Sequence, residues 1–301
     1  MSDSSHRFFA GKQLFVAGCG YVGSEVARQG IRQGLRVTAL TRNPTKAAAL
    51  RAEGIETIVA DLADESWHAQ LPEKMDFVLN SVSSGGGGVE SYRRSYYEGM
   101  VSLLQWTDKT KAGTCVYTSS TSVYPQGAGV AVDETAPLGE PADERTQWLI
   151  ATEDLLRESS AIGRAFILRL AGIYGPGRHH VLDQVRAAGV LPGNGDHRLN
   201  LIHRDDAVAA VWAAFGASPE VRGTVYNVAD DCPVPKTELA AWLAAQLGRP
   251  PPRFDPTLPS RRRRIVPDRV ILNAKLKREL GWRPRHAGYR AGYAEILTAL
   301  Q

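Results

Sequence analysis

The chain has 301 residues, of which 43% are hydrophobic and 23% are charged, and its formal net charge is +4 at pH 7. These values are typical of a water-soluble globular protein with a sizeable core, and the length favours two domains that share a cleft. No stretch approaches the ~20 apolar residues of a membrane-spanning helix, and residues 1–12 lack the apolar core of a signal peptide. Three widely spaced cysteines, Cys19, Cys115 and Cys232, indicate neither a disulfide framework nor a metal site. We therefore expect a cytoplasmic protein that needs neither a membrane nor a metal.

The positive charge is modest, and part of it lies in one run of four arginines, Arg261–Arg264. A solvated loop explains this run at least as well as a phosphate-binding patch does. No helix-turn-helix, zinc-finger or aromatic RNA-binding pattern accompanies it in the sequence. We therefore expect a small-molecule substrate rather than a nucleic acid.

The first strongly apolar segment leads into a glycine-spaced turn, "QLFVAGCGYVG" at residues 13–23, and an amphipathic helical pattern follows. Strand, tight turn and helix form the context of a dinucleotide-binding fingerprint. The first glycine allows the turn, the second lets the backbone approach a pyrophosphate, and the third lets the helix pack closely. The residues predicted to bind a dinucleotide here are Gly18, Gly20, Tyr21, Val22 and Gly23.

Strand-like and helix-like segments alternate through the first two thirds of the chain. The predicted strands are 13–17, 36–40, 56–60, 76–80, 113–118 and 165–170, and the helices between them are 22–33, 45–52, 91–110 and 146–159. This alternation predicts an α/β fold, a Rossmann-type doubly wound parallel sheet. We assign residues 1–175 to this NAD(P)-binding domain and 176–301 to a smaller C-terminal substrate-binding lobe, with residues 199–232 returning to the first domain. Further helices are predicted at 205–216, 237–247 and 288–300.

The second predicted strand favours one cofactor over the other. NAD-binding units usually place an acidic residue about twenty positions after the glycines, where it binds the ribose hydroxyls. Here no acidic residue lies between Glu25 and Glu53, and the strand ends in Thr41 and Arg42, with Lys46 close behind. An arginine there can pair with a 2′-phosphate. We therefore favour NADP(H), with NAD(H) and a solvated Arg42 as the alternative.

Five further segments carry a family resemblance. They are "VYTSSTSVYP" at 116–125, "LRLAGIYGPGR" at 168–178, "RLNLIHRDDAVAAV" at 198–211, "GTVYNVAD" at 223–230 and "ELGWRP" at 279–284. With the glycine turn, they make the chain resemble the extended short-chain dehydrogenase/reductases of the NAD(P)-dependent epimerase/dehydratase family, and within it the atypical YeeZ-like bacterial group. The resemblance spans nearly the whole chain and keeps the motif order. It implies an oxidoreductase or epimerase that acts on a carbonyl or alcohol, with nucleotide-linked substrates common in the family.

The resemblance also implies roles for individual residues. Ser120 matches the catalytic Ser/Thr that binds the reacting oxygen, although a hydroxyl satisfied locally at a strand end is the alternative. The remaining implied contacts are Asp61 and Leu62 at the adenine, Ser81 and Val82 at the fourth strand, Ala171 at the nicotinamide, and Tyr174, Arg178 and Arg263 at the substrate. Tyr174 belongs to a segment that often has a packing role instead.

The chain departs from the family at the Tyr-x-x-x-Lys pair, in which tyrosine is the acid/base and lysine lowers its pKa. The matching helix places Arg145 at the tyrosine position and Leu149 at the lysine position, and none of the ten tyrosines has a lysine four residues later. Arg145 can stabilise an oxyanion but cannot donate a proton, because guanidinium stays charged. A solvated arginine at the N-terminus of the helix is the alternative. Histidine titrates near neutral pH, so His179 is a candidate acid/base, with a surface role as its alternative.

Two classes of function follow from this departure. The first is an NADP(H)-dependent reductase, dehydrogenase or epimerase with an atypical proton donor. The second is a non-catalytic protein that senses NADP(H) and signals through a partner.

The apolar positions of the helix at 91–110 (Leu103, Leu104 and Trp106) are compatible with a homodimer and equally with the core.

Overall fold

The computed structural model describes residues 7–141, 143–258 and 267–300. Seven parallel strands form its central sheet in the spatial order β7-β6-β5-β4-β1-β2-β3. The strands are β1 (Gln13–Ala17), β2 (Arg36–Thr41), β3 (Glu56–Val59), β4 (Lys74–Asn80), β5 (Lys111–Ser120), β6 (Ile162–Leu170) and β7 (Val225–Val228). The strand order reverses between β1 and β4, and ligands of doubly wound sheets bind beside such a reversal, at the carboxyl ends of the strands. The predicted Rossmann-type fold is confirmed.

The helices cover both faces of the sheet. They are α1 (Gly23–Arg32), α2 (Pro44–Ala52), α3 (Val89–Tyr92), α4 (Gly99–Lys109), α5 (Glu144–Glu158), α6 (His180–Ala187), α7 (Arg204–Phe215), α8 (Lys236–Gln246), α9 (Ala274–Leu280) and α10 (Tyr289–Ala299). A π-helix, Arg93–Glu98, joins α3 to α4, within the single helix that the sequence predicts at 91–110. π-Helical turns are rare and occur frequently at functional sites.

Strand β1 shows why the sheet lies at the centre of the molecule. Residues 14–17 have no exposed surface, and alternate side chains point into the two cores. Leu14 and Val16 face the core under α1 and α7, whereas Phe15 and Ala17 face the core under α4. A strand buried on both faces is continuously apolar, which explains the unbroken run "LFVA". Leu103 and Trp106 of α4 are buried in this second core and present no face to a partner.

A third core lies in the C-terminal part of the chain, between α6, α8 and α10. Four short strand pairs lie outside the central sheet: Gly172–Tyr174 with Leu201–His203, Arg198–Leu199 with Val234–Pro235, Val190–Pro192 with Arg253–Asp255, and Val130–Val132 with Arg269–Ile271. The last of these pairs joins the C-terminal part of the chain to the segment that follows β5. The segment 199–232, which the sequence assigns back to the first domain, contributes α7 and β7. In the described part of the chain, no helix is long and apolar enough to cross a membrane.

A buried ion pair fixes α5 against the sheet. Glu153 on α5 accepts hydrogen bonds from Nε and Nη2 of Arg169 on β6, at 3.0 and 2.5 Å. Its Oε1 also accepts the hydroxyl of Ser119 on β5 at 2.5 Å. Arg169 Nη1 donates to the Tyr124 hydroxyl at 2.9 Å, and that hydroxyl donates to Asn227 Oδ1 at 2.8 Å. Because each of these groups has a partner, the network holds α5, β5, β6 and β7 in one arrangement.

We expect Glu153→Gln to lower the free energy of unfolding by about 3–5 kcal/mol, because it leaves the Arg169 guanidinium buried without its counter-charge. Urea denaturation measures this change. Asp154→Asn is the matched control, since Asp154 is the next residue on α5 and forms an exposed pair with Arg157. The control should cost about 1 kcal/mol or less. Equal losses in the two variants would contradict the structural role of the buried pair.

Candidate cofactor cleft and active site

A cleft of about 520 Å³ opens at the carboxyl ends of β1, β2 and β4. Eight of the predicted cofactor-binding residues line it: Gly18, Gly20, Thr41, Arg42, Asp61, Leu62, Ser81 and Val82. The lining also contains Cys19, Leu40, Asn43, Pro44, Lys46, Ser83 and Ser95. Ser95 comes from the π-helix, and no sequence signal pointed to it. The structure thus brings together residues that lie up to 77 positions apart in the chain.

The glycines of the turn have the roles that their spacing predicts. Gly18 has φ +84°, and a Cβ at this position would lie 2.6 Å from Val82 Cα. A Cβ on Gly23 would lie 2.3 Å from the carbonyl oxygen of Gly18, so the helix packs directly on the turn. A Cβ on Gly20 would meet no atom within 4 Å, since it would project into open space. Gly18 and Gly23 are therefore required by the fold, whereas Gly20 keeps room for a ligand.

The start of α1 offers hydrogen-bond donors to that space. The N–H groups of Gly18 and Gly20 donate to backbone carbonyls, whereas those of Tyr21, Val22 and Gly23 have no acceptor within the described residues. No side chain caps the helix at Val22. Free N–H groups and the helix dipole together favour an anion. The turn therefore fits the pyrophosphate of a dinucleotide.

The side chain of Tyr21 points away from this space and joins the turn to the loop after residue 174. Its hydroxyl donates to the carbonyl oxygen of Pro176 at 2.8 Å. The guanidinium carbons of Arg178 and Arg204 lie 5.5 and 5.4 Å from its ring centroid. Burial raises the pKa of Tyr21. Tyr21 can therefore reach the cofactor through its backbone, and Arg178 is an exposed cation beside the turn.

The opposite end of the cleft is built at the end of β2. Thr41 Oγ1 accepts the N–H of Asn43 at 3.2 Å, and Asn43 Oδ1 accepts the N–H of Lys46 at 3.0 Å, which caps α2. Arg42 is half exposed, and its Nη1 lies 3.7 Å from Asp61 Oδ2. A half-exposed guanidinium therefore lies where the 2′ position of an adenosine is expected.

Ser120 is the last residue of β5 and is half-buried. Its Oγ accepts the N–H of Ser122 at 3.1 Å, so the local hydrogen bond expected of a strand-end hydroxyl is present. That bond uses an oxygen lone pair and leaves the hydroxyl proton available to donate. Ser120 can therefore form the local hydrogen bond of a strand-end hydroxyl and still donate its proton to a substrate oxygen.

Arg269 anchors the segment that follows Ser120, a role that sequence reasoning missed. It is almost fully buried, and its guanidinium donates to the carbonyl oxygens of Thr121 at 2.9 Å, Gln126 at 3.2 Å and Tyr124. The Arg269 side chain therefore points into the protein, toward these carbonyls.

The positions of the missing catalytic pair are occupied as the register predicts. Arg145 lies in the first turn of α5, with its guanidinium carbon 5.4 Å from the Tyr92 ring centroid. Leu149 is 4% exposed and belongs to the core under α1 and α7. Helix α5 packs against the turn after Ser120. Leu149 carries no charge, so a proton donor on this helix has no cation at the family's lysine position to lower its pKa.

Three other predicted residues are less accessible than the sequence suggests. Tyr174 is 3% exposed and stacks on Tyr293 with ring centroids 4.9 Å apart, so its side chain packs inside the third core, as the alternative reading of its segment expects. Ala171 is buried, and its N–H donates to Val228 O. His179 Nδ1 lies 2.9 Å from Asp183 Oδ1 at the start of α6, with the histidine mostly buried. The prediction for Arg263 lies outside the described residues.

One cluster outside the cleft has the spacing of a metal site. Potential ligand atoms of His203, Asp206 and His286 lie within 4.8 Å of one another. However, the His286 ring nitrogens lie 2.9 and 3.0 Å from carboxylate oxygens of Asp206 and Glu295. The hydrogen bond from His286 also lowers the pKa of Glu295. Through His286, hydrogen bonds to Asp206 and Glu295 tie α10 to the start of α7.

The fold and the cleft together define a dinucleotide-binding protein of the Rossmann type. The model of the NAD-dependent epimerase/dehydratase family matches residues 14–229. The chain belongs to this family, as the sequence motifs predict.

Individual relatives agree with the family. Protein YeeZ of Escherichia coli (strain K12) is 27% identical over 268 residues, which cover 87% of this chain and 93% of YeeZ. The 3-diazoavenalumate denitrifying reductase of a Streptomyces species is 28% identical and covers 93% of this chain and 98% of its own length. The structure of MoeE5 in complex with UDP-glucose and NAD matches with a TM-score of 0.79 at 22% identity, over 96% of this chain and 100% of MoeE5.

Two glycine variants separate cofactor binding from folding. We expect Gly20→Ala to weaken NADPH and NADH binding about ten-fold or more while leaving the unfolding midpoint nearly unchanged, because the new methyl group enters the ligand space. Gly23→Ala should lower the unfolding midpoint, because its methyl group meets the Gly18 carbonyl. Cofactor fluorescence titration and thermal denaturation measure the two effects. Unchanged cofactor affinity in Gly20→Ala would contradict the assignment of the turn.

Proposed function

We propose that the protein is an NADP(H)-dependent oxidoreductase or epimerase that acts on a carbonyl or alcohol and uses no Tyr-x-x-x-Lys pair. The observation that carries the cofactor choice is Arg42, which lines the cleft at the end of an acid-free β2. The ammonium group of Lys46 adds a second cation to the same lining. A 2′-phosphate would receive charge-assisted hydrogen bonds from Arg42, whereas a 2′-hydroxyl would gain little from it.

The reaction centre is proposed at the end of β5. The bound nicotinamide supplies or accepts hydride at its C4 atom. Ser120 donates its hydroxyl proton in a hydrogen bond to the substrate oxygen and orients it, and Arg145 on the adjoining helix stabilises negative charge that develops there. His179 or a water molecule is proposed to exchange the proton with the substrate oxygen, since guanidinium stays protonated.

The substrate is proposed to be a small molecule that carries an anionic group, such as a nucleotide-linked compound. Arg178 supports this class, because it is an exposed guanidinium stacked near Tyr21 beside the glycine turn. Two relatives whose names describe reductases, one from Streptomyces and the 2-alkyl-3-oxoalkanoate reductase of Shewanella oneidensis, support carbonyl or related reduction as the reaction class.

We expect wild-type protein to bind NADPH more tightly than NADH, and Arg42→Ala to raise the Kd of NADPH about ten-fold with little effect on NADH. Isothermal titration calorimetry measures both constants. Arg51→Ala is the control, since Arg51 is an exposed arginine of α2 that binds the Thr57 carbonyl outside the cleft. Tighter binding of NADH that Arg42→Ala leaves unchanged would refute the NADP(H) assignment.

Stopped-flow loss of NADPH absorbance across a panel of carbonyl compounds tests for turnover. On any substrate found, we expect Ser120→Ala to lower kcat about 100-fold while leaving the Kd of NADPH unchanged, because one preaimed donor to the oxyanion is lost. Ser122→Ala in the same turn is the control. Wild-type activity in Ser120→Ala would show that the site is wrong. Tight NADPH binding without turnover of any compound would instead favour a cofactor-sensing protein.

A further inference from the structure

Asp61 places a carboxylate beside the arginine that is proposed to choose the cofactor. It follows β3 and lines the cleft, with its Oδ2 3.7 Å from Arg42 Nη1. Its Oδ1 accepts the N–H of Ala63 at 3.0 Å, which holds the carboxylate in this orientation. An acid in this position opposes a 2′-phosphate in two ways: it repels the phosphate and it competes for the Arg42 guanidinium. Something must therefore neutralise Asp61 if Arg42 is to serve the phosphate.

The π-helix supplies the neutralising charge. Arg94 Nε donates to Asp61 Oδ2 at 3.1 Å, and Arg94 Nη2 donates to Asp64 Oδ1 at 2.8 Å. Asp61 Oδ2 is thus shared by two guanidinium groups, but only Arg94 is within hydrogen-bond distance, whereas Arg42 at 3.7 Å is not. Arg94 therefore holds the carboxylate, and Arg42 keeps its hydrogen-bond donors for a ligand.

The π-helix lies beside the cleft, which places Arg94 within reach of Asp61. Ser95, the next residue, lines the cleft, so this turn lies directly against the cofactor space. The neighbouring Arg93 points to a different side, where its guanidinium lies 3.1 Å from Glu90 and 2.9 Å from Glu98. Arg94 Nη1 also lies 3.9 Å from Glu98 Oε2, but of these two adjacent arginines only Arg94 contacts Asp61.

We infer that Arg94 is a specificity-determining residue, which favours the adenosine 2′-phosphate of NADP(H) by holding and neutralising the Asp61 carboxylate beside Arg42. This inference rests on the proposed NADP(H) preference. Arg94 acts through Asp61 and Arg42 and not by direct contact with the phosphate. Its removal should let Asp61 pair more closely with Arg42 and leave an unbalanced negative charge where the phosphate binds. A 2′-hydroxyl carries no charge, so NADH should be spared.

The test measures the ratio of the dissociation constants of NADH and NADPH by calorimetry, in Arg94→Ala and in Arg93→Ala as the matched control. Arg94→Ala should raise the Kd of NADPH about three- to five-fold and leave that of NADH unchanged or lower, whereas Arg93→Ala should preserve the ratio. The double variant Arg94→Ala/Asp61→Asn should restore the wild-type ratio, because the side chain beside Arg42 is then uncharged. The fragments 2′,5′-ADP and 5′-AMP should show the same contrast without the nicotinamide.

The measurements test the proposed function and the inference about Arg94 separately. The wild-type ratio tests the proposed function, whereas the change of ratio caused by Arg94→Ala tests this inference, so the two can fail separately. Equal weakening of NADPH and NADH in Arg94→Ala would indicate a structural role and overturn the inference. It would also be overturned if the ratio fell equally in Arg93→Ala, or if Asp61→Asn failed to restore it. A smaller effect of Arg94→Ala at high salt would support the electrostatic cause.

Discussion

The geometry of the site depends on the buried ion pair between Glu153 and Arg169. A carboxylate without exposed surface has to keep its cation, and this requirement fixes the rotation of α5 about its own axis. With Glu153 facing β6, the position four residues earlier, Leu149, faces the core, and Arg145 lies at the exposed start of the helix near Tyr92. The same carboxylate holds Ser119, so the residue before Ser120 is fixed as well. One pair therefore sets the positions of both the strand end and the helix that flank the proposed reaction centre.

This arrangement separates the binding of charge from the transfer of protons. In the family's pair, one lysine binds the ribose and lowers the pKa of a tyrosine. Here apolar packing takes the lysine position, and the cations at the carboxyl edge come from other elements, among them Arg42, Lys46 and Arg178. Guanidinium groups bind phosphates and oxyanions well but do not release protons near neutral pH. The residues thus favour recognition of an anionic cofactor, and the proposed reaction would need another group for proton transfer.

The sequence predicts best those parts of the structure that depend on residues close together in the chain. The glycine turn follows from a positive φ at Gly18 and from the missing Cβ of Gly23, and both requirements concern neighbouring backbone. The six predicted strands are confirmed, and the central ones are easiest to predict because strands buried on both faces are continuously apolar. Strand β7 was missed, since four residues between loops carry too little pattern. Tyr174 was placed at the substrate because its motif recurs in the family, but the packing of Tyr293 from α10 decides its environment. Such long-range contacts leave no periodic signal.

The charge around the proposed 2′ position cannot be predicted from one segment of the sequence alone. The absence of acids on β2 correctly identifies Arg42 as a residue of the cleft, yet it does not describe the electrostatic field there. Parallel strands bring Asp61 from β3 to within 3.7 Å of that arginine, and the π-helix brings Arg94 from more than thirty positions further along the chain. The net charge near a bound phosphate therefore depends on the end of β2, the segment after β3 and the π-helix. Reading β2 alone counts Arg42, whereas the cleft is lined by two cations, Arg42 and Lys46, and by an acid, Asp61, which Arg94 holds. The proposed cofactor preference consequently depends on how carboxylates near the site are paired, as well as on which residue follows the second strand.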